Sequence, residues 1–127
     1  MISLVDSSTS ALLGLALDAT TMRHQAIAHN IANANTPGYK TISVNFEQSL
    51  LDAREAMKSG QGASLSGASG FRPAFEIVQE SSINDGAVSL DVEIAKLSEN
   101  TLHQQALLKA LNRHLSMLSF AINEGKR

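Results

Sequence analysis

The sequence predicts a mainly α fold, in which long N- and C-terminal helices form an antiparallel coiled-coil-like pair joined by a flexible middle. Three observations carry this. Of the 127 residues 43% are apolar but only 4% are aromatic, with no tryptophan, so a core must be built from Leu, Ile and Ala. Such side chains suit helix-on-helix packing better than an aromatic-rich sandwich. Apolar residues also recur at helical spacing in both terminal segments, and a Gly/Ser-rich tract separates the two.

The N-terminal helix is predicted over Ser10 to Ala32. Ser7, Ser8, Thr9 and Ser10 are candidate N-caps. One apolar stripe runs Leu12, Leu15, Ala19, Met22, Ala26, and a neighbouring one runs Leu13, Leu17, Ile27, Ile31 when Thr20 and His24 are included. Together they make a face broad enough for more than one partner. Asn33-Ala34-Asn35-Thr36-Pro37-Gly38 stops the helix, because Asn tolerates left-handed backbone and Pro cannot continue a helix.

The C-terminal helix carries the stronger pattern. Alternating steps of four and three give Leu90, Ile94, Leu97, Thr101, Gln104, Leu108, Leu111, Leu115, Leu118 and Ile122, of which eight are Leu or Ile. This is a heptad seam, with Glu93, Lys96, Glu99, Lys109 and Arg113 on the polar side. At 1.5 Å per residue the helix is about 50 Å long, more than a compact chain of this size covers comfortably. The seam is therefore expected to serve as an assembly interface, covered by the N-terminal helix or by another subunit.

Between the helices, Ser59 to Gly70 holds four Ser and four Gly in twelve residues, the composition of a flexible linker. Phe71 to Val78 reads as a short extended segment. Asn84-Asp85-Gly86 is a turn signal that would pair it with Ala87 to Leu90 in a small hairpin. The expected division is an N-terminal unit over 1–50, a flexible middle over 51–86 and a C-terminal helix over 87–127.

Several function classes are excluded or disfavoured. Ten Lys and Arg against twelve Asp and Glu give a net charge of −2, with no basic block for a nucleic-acid partner and only a terminal Lys126-Arg127 pair. The absence of cysteine removes disulfides, thiol catalysis and Cys-based zinc sites. Apolar runs such as Ala11 to Leu17 are too short to span a bilayer. The opening residues lack the charged and apolar regions of a secretory signal, so any export is expected by another route. His24 and His29 fall on different helix faces, while His103 and His114 share a face but lie about 16 Å apart along it. Neither pair makes a metal site. No nucleophile elbow, zinc-protease or phosphate-loop motif is present, so no catalytic residue, cofactor, metal or small-molecule substrate is expected.

One stretch is not generic helix and turn. Three of the eight Asn residues, Asn30, Asn33 and Asn35, fall within six positions, although Asn is a poor helix-interior residue. Asn30, Ile31, Ala32 and Asn33, followed by Thr36, Pro37, Gly38 and Tyr39 with Phe46-Glu47 downstream, resemble the N-terminal signature of the flagellar axial proteins. The compact form is most similar to the proximal-rod, FlgB family. Leu90-Asp91-Val92-Glu93, Leu97 to Leu102 and Leu118 to Ile122 are similar to that family's C-terminal helix. Gln104 stands where the family usually has Tyr, and is expected to hydrogen-bond across an interface and help set register.

The resemblance implies a structural component of the bacterial flagellar basal-body rod, exported through the flagellar type III apparatus without a cleaved signal. Its implied partners are other proximal rod proteins and copies of itself, a rod-to-ring adaptor, the membrane ring and the export gate. The alternative is a soluble cytoplasmic helical adaptor or export chaperone.

Overall fold

The computed structural model describes residues 2–59, 76–80 and 88–125. Along the chain come α1 (Ile2–Ala32), β1 (Thr41–Asn45), α2 (Glu47–Lys58), β2 (Glu76–Glu80) and α3 (Leu90–Glu124). The two terminal helices dominate, as the periodicity predicts. They run antiparallel, because Asn30 meets Glu93 while Thr20, earlier on α1, meets Asn100, later on α3.

α1 ends at Ala32 as expected but begins at Ile2. Ser7 to Ser10 thus lie inside the helix rather than capping it. Hydroxyl residues carry only a small helix penalty, and packing of the flanking apolar face overrides it. Ser8, Thr9 and Ser10 are half-buried. The α1 surface turned to the core is made of Ala16, Ala19, Thr20, Ala26 and Ile27, all buried. These mostly short side chains let the partner backbone come close.

α3 begins at Leu90, with Ser89 at the N-cap and Asp91 and Glu93 in the first turn, where the helix dipole favours acids. Its close is marked by the Gly125 amide, which donates to the Ala121 carbonyl at 3.1 Å.

The sheet differs from expectation. β1 pairs antiparallel with β2, from Thr41 opposite Glu80 to Asn45 opposite Glu76. The expected partner of the Phe71 to Val78 segment was Ala87 to Leu90, but Val88 and Ser89 are not strand and Leu90 opens α3. Leu90 belongs to the helix because the acids that follow it suit a helix start, whereas Thr41-Ile42-Ser43-Val44 is β-branched at three of four positions. Residues 60–70 of the linker, 71–75 and the turn at 84–86 lie outside the described residues. A two-stranded ribbon is marginal alone. This one is held against the helices by the side chains of Asn30 and Arg23.

Candidate functional site: a polar latch and a divided seam

The signature residues build the latch. As α1 ends, the His29 carbonyl accepts both the Asn33 backbone amide at 3.1 Å and the Asn33 side-chain amide at 2.9 Å, which ties the last turn to the residue that follows it. Thr36-Pro37-Gly38-Tyr39 then forms a tight turn, closed by the Tyr39 amide donating to the Thr36 carbonyl at 3.2 Å. Pro at the second position and positive φ at the third define a type II turn. Gly38, at φ 73°, supplies that conformation. A Cβ on Gly38 would meet nothing within 4 Å, so Gly38→Ala would carry only backbone strain. We expect it to cost roughly 1 kcal/mol, measured by urea denaturation.

The turn returns the chain so that β1 lies beside Asn30, which is 1% exposed. All four hydrogen-bonding positions of its amide are filled. Its Nδ2 donates to the Ile42 carbonyl at 2.9 Å and to Glu93 Oε2 at 3.0 Å. Its Oδ1 accepts from the Ile42 amide and from the Tyr39 hydroxyl, both at 2.9 Å. By taking both backbone groups of Ile42, the side chain imitates a neighbouring strand. The Tyr39 hydroxyl, which donates to Asn30, also lies 2.9 Å from His29 Nδ1, and that nitrogen is 3.3 Å from the Asn33 side-chain amide. Burial, and secondarily the nearby Glu93 carboxylate, raise the Tyr39 phenol above its ordinary value. Glu93 is itself buried and also accepts from Lys96 Nζ at 3.2 Å.

Two turns earlier on α1, Arg23 holds the next piece of chain. Ile42 and Val44 present their backbone groups to the same side of β1, as residues two apart in a strand do. Arg23 Nη2 donates to the Val44 carbonyl at 3.3 Å and to Glu47 Oε1 at 2.9 Å. Its guanidinium also sits over the buried Phe46 ring, 4.4 Å from the centroid. Asn30 and Arg23 together cover the edge of β1 that β2 leaves open, and the Arg23–Glu47 pair ties α2 to α1.

Burial pushes the Glu47 carboxyl up, but the hydrogen bond and charge of Arg23, with the backbone amides of Glu47 and Phe46, outweigh it. The group titrates below its ordinary value. Its contribution to stability is therefore present above the unfolded carboxylate value and is lost as pH falls through the lower folded one. We expect the urea midpoint to fall in the acid range below about pH 4 by more in the wild type than in Glu47→Gln.

The seam divides in two. The α3 residues covered against α1 step Glu93, Leu97, Asn100, Gln104, Leu107, Leu111, His114 and Leu118, all buried or half-buried. This is a four-and-three alternation, displaced around the helix from the leucine-rich series. Of the predicted interface, Leu97, Gln104, Leu111 and Leu118 lie in this inner seam. Leu90, Ile94, Leu108, Leu115 and Ile122 lie outside it and are exposed, Leu108 at 45%, Leu115 at 49% and Ile122 at 62%.

The inner seam is laced with polar groups. Asn100, 2% exposed, donates to the Thr20 carbonyl at 2.9 Å, and its Oδ1 has no hydrogen-bond partner among the described residues. Polar groups buried in a helical seam cost stability but specify register. The chain's own hairpin thus uses the register-setting residues, while a line of Leu and Ile, interrupted by the half-buried Thr101, stays largely uncovered.

Pattern alone misplaces Glu93 on the solvated side and does not single out Arg23, Thr20 or Asn100. The heptad spacing of Glu93, Asn100, Leu107 and His114 is the signal that would have found the inner seam. Of the histidines, His29 joins the latch and His114 the inner seam. His24 is exposed, and His103 lines a cleft of about 290 Å³ between α1, β1 and α3. Among the described residues no group of three His, Asp or Glu is placed to hold a metal ion, and no helix is long and apolar enough to cross a membrane.

The latch coincides with the stretch by which this chain resembles known proteins. A family model described as "Flagella basal body rod protein" matches residues 15–40, the stretch that holds Arg23, Asn30 and the type II turn. A flagellar basal body rod protein FlgB of Bacillus subtilis is 30% identical, covering 94% of this chain and 97% of the relative. The FlgB of Yersinia enterocolitica is 28% identical over 87% of this chain and 90% of its own length. That of Cereibacter sphaeroides is 32% identical over 79% and 82% respectively.

Proposed function

We infer that this chain, which belongs to the FlgB family of flagellar basal-body rod proteins, builds the rod through the outer apolar line of α3. It is a structural component of the rod, and no step of chemistry is asked of it. The observation that carries the assembly reading is the division of the seam. Leu90, Ile94, Leu108, Leu115 and Ile122 form a line that α1 does not cover. A neighbouring subunit's helix covers this line in the assembled rod.

The partners are copies of this chain and other rod proteins of the proximal segment, with a rod-to-ring adaptor, the membrane ring and the export gate at its base. The chain reaches that position through the flagellar type III apparatus. Signature similarity to the proximal-rod family supports this placement, as does the polar latch, which keeps the hairpin in one register while its outer face waits for a partner.

The test is recovery of an epitope-tagged chain. Purified basal bodies should contain it, and deletion should remove the rod above the membrane ring. A tagged chain found only in the cytoplasm, bound to other flagellar proteins, would indicate an adaptor or export chaperone instead.

A further inference from the structure

We propose that the groove between α1 and α2 receives the Arg113–Glu124 face of α3 from a second copy of this chain. This deepens the rod reading by naming one self-contact, and it is argued from two surfaces that the chain cannot bring together by itself.

The groove has a volume of about 640 Å³ and is walled by Leu12 and Leu13 of α1, Leu50 and Leu51 of α2 and Leu107 of α3. Glu47 and Arg54 stand at its rim. Leu51 is 55% exposed, an apolar side chain with no cover. An occupant must bring large apolar side chains flanked by charges of the opposite order.

The end of α3 has that composition. Arg113, Met117, Phe120 and Glu124 are spaced four, three and four apart and so share one face. That face is turned about a third of the way round the helix from the inner seam, and Met117 and Phe120 are exposed. The charges run Glu47 then Arg54 along α2, and Arg113 then Glu124 along α3. Parallel docking sets Arg113 against Glu47 and Glu124 against Arg54. The axial separations, about 10 Å on α2 and about 16 Å on α3, differ by less than the reach of two long side chains. Although bonded to Arg23, the Glu47 side chain keeps 61% of its surface exposed.

The chain's own α3 cannot fill the groove with this face. Leu107 is already part of the groove wall, and Phe120 lies about 20 Å further along the same unbroken helix, pointing away from α1. The two surfaces differ, so the contact is head-to-tail. Each copy retains a free groove or a free helix end, and addition continues without closing a dimer.

Because the 127 residues carry no cysteine, introduced thiols report the contact cleanly. Leu51→Cys and Phe120→Cys variants are purified, mixed at high concentration and oxidised. The expected result is a 51–120 disulfide in the mixture, little dimer from either variant alone, and a ladder of oligomers from the double variant. Arg54→Glu should abolish the cross-link and Glu124→Arg in the partner should restore it. The same charge pair, followed by sedimentation without any cysteine, serves if a thiol variant does not fold. Dominant 120–120 dimers, absence of the 51–120 bond, or a Leu51→Cys thiol blocked from labelling in the dilute chain would each overturn the proposal. Basal bodies that contain the double variant without the 51–120 bond would overturn this contact alone. Absence of the wild-type chain from basal bodies would overturn the rod reading instead.

Discussion

Asn30→Leu is expected to be the most damaging single substitution in the described structure, lowering stability by about 3–5 kcal/mol. The magnitude follows from what is left behind rather than from what is removed. The Ile42 amide and carbonyl, the Tyr39 hydroxyl and Glu93 Oε2 all lose their Asn30 partner at once. Glu93, 2% exposed, would keep Lys96 as the one partner among those bonds and would sit against a new aliphatic group. Leu has as many side-chain heavy atoms as Asn and leaves no cavity, so the loss would come from unpaired polar groups and from crowding by its bulkier methyls. Tyr39→Phe, which deletes one donor to the same amide, should cost only about 1 kcal/mol. Urea denaturation followed by circular dichroism measures both. A loss in Asn30→Leu no larger than that in Tyr39→Phe would show that the latch does not hold β1 to the helices.

The second large effect is on assembly. Leu115→Asp should leave the isolated chain within about 0.5 kcal/mol of wild type, since Leu115 is 49% exposed and lies outside the inner seam. In cells it should abolish rod incorporation and motility, because a carboxylate would then have to be desolvated against a neighbouring helix. Leu111→Asp, four residues earlier and half-buried against α1, should instead destabilise the monomer by about 2–3 kcal/mol. The pair separates the two lines of the seam. Denaturation of the purified variants, set beside swimming in soft agar, reads them. A motile Leu115→Asp strain would contradict the interface role of the outer line.

What was legible in the sequence was what is local. The helix exit at Ala32, the Pro37-Gly38 turn and the start of α3 each depend on residues within a few positions of one another. Similarity to the rod family rests on the same short stretches. The inner seam was not legible because its logic is long-range. Glu93 reads as a solvated acid until Asn30, 63 residues away, is placed beside it. Asn100, which falls outside the leucine-rich series, gains its role only when the Thr20 carbonyl, 80 residues away, receives its amide. A hydrophobic count therefore merges the two lines: it takes Leu97, Gln104, Leu111 and Leu118 of the buried line together with the exposed Leu90, Ile94, Leu108, Leu115 and Ile122, and passes over the polar Glu93, Asn100 and His114. The β1–β2 pairing was missed for the same reason, since the Thr41 to Asn45 segment finds its partner across the linker rather than across a short turn.

The two lines of α3 divide the labour: the polar-laced line closes the hairpin, and the apolar line beside it is kept for another subunit. The most direct measurement places a single cysteine at Leu108, which is 45% exposed and lies at the middle of the outer line. Thiol labelling is then compared between the dilute chain and purified basal bodies. Rapid labelling of the free chain and strong protection in the basal body are expected if a neighbouring subunit covers the outer line. Equal labelling in both states, with the variant fully incorporated, would contradict it.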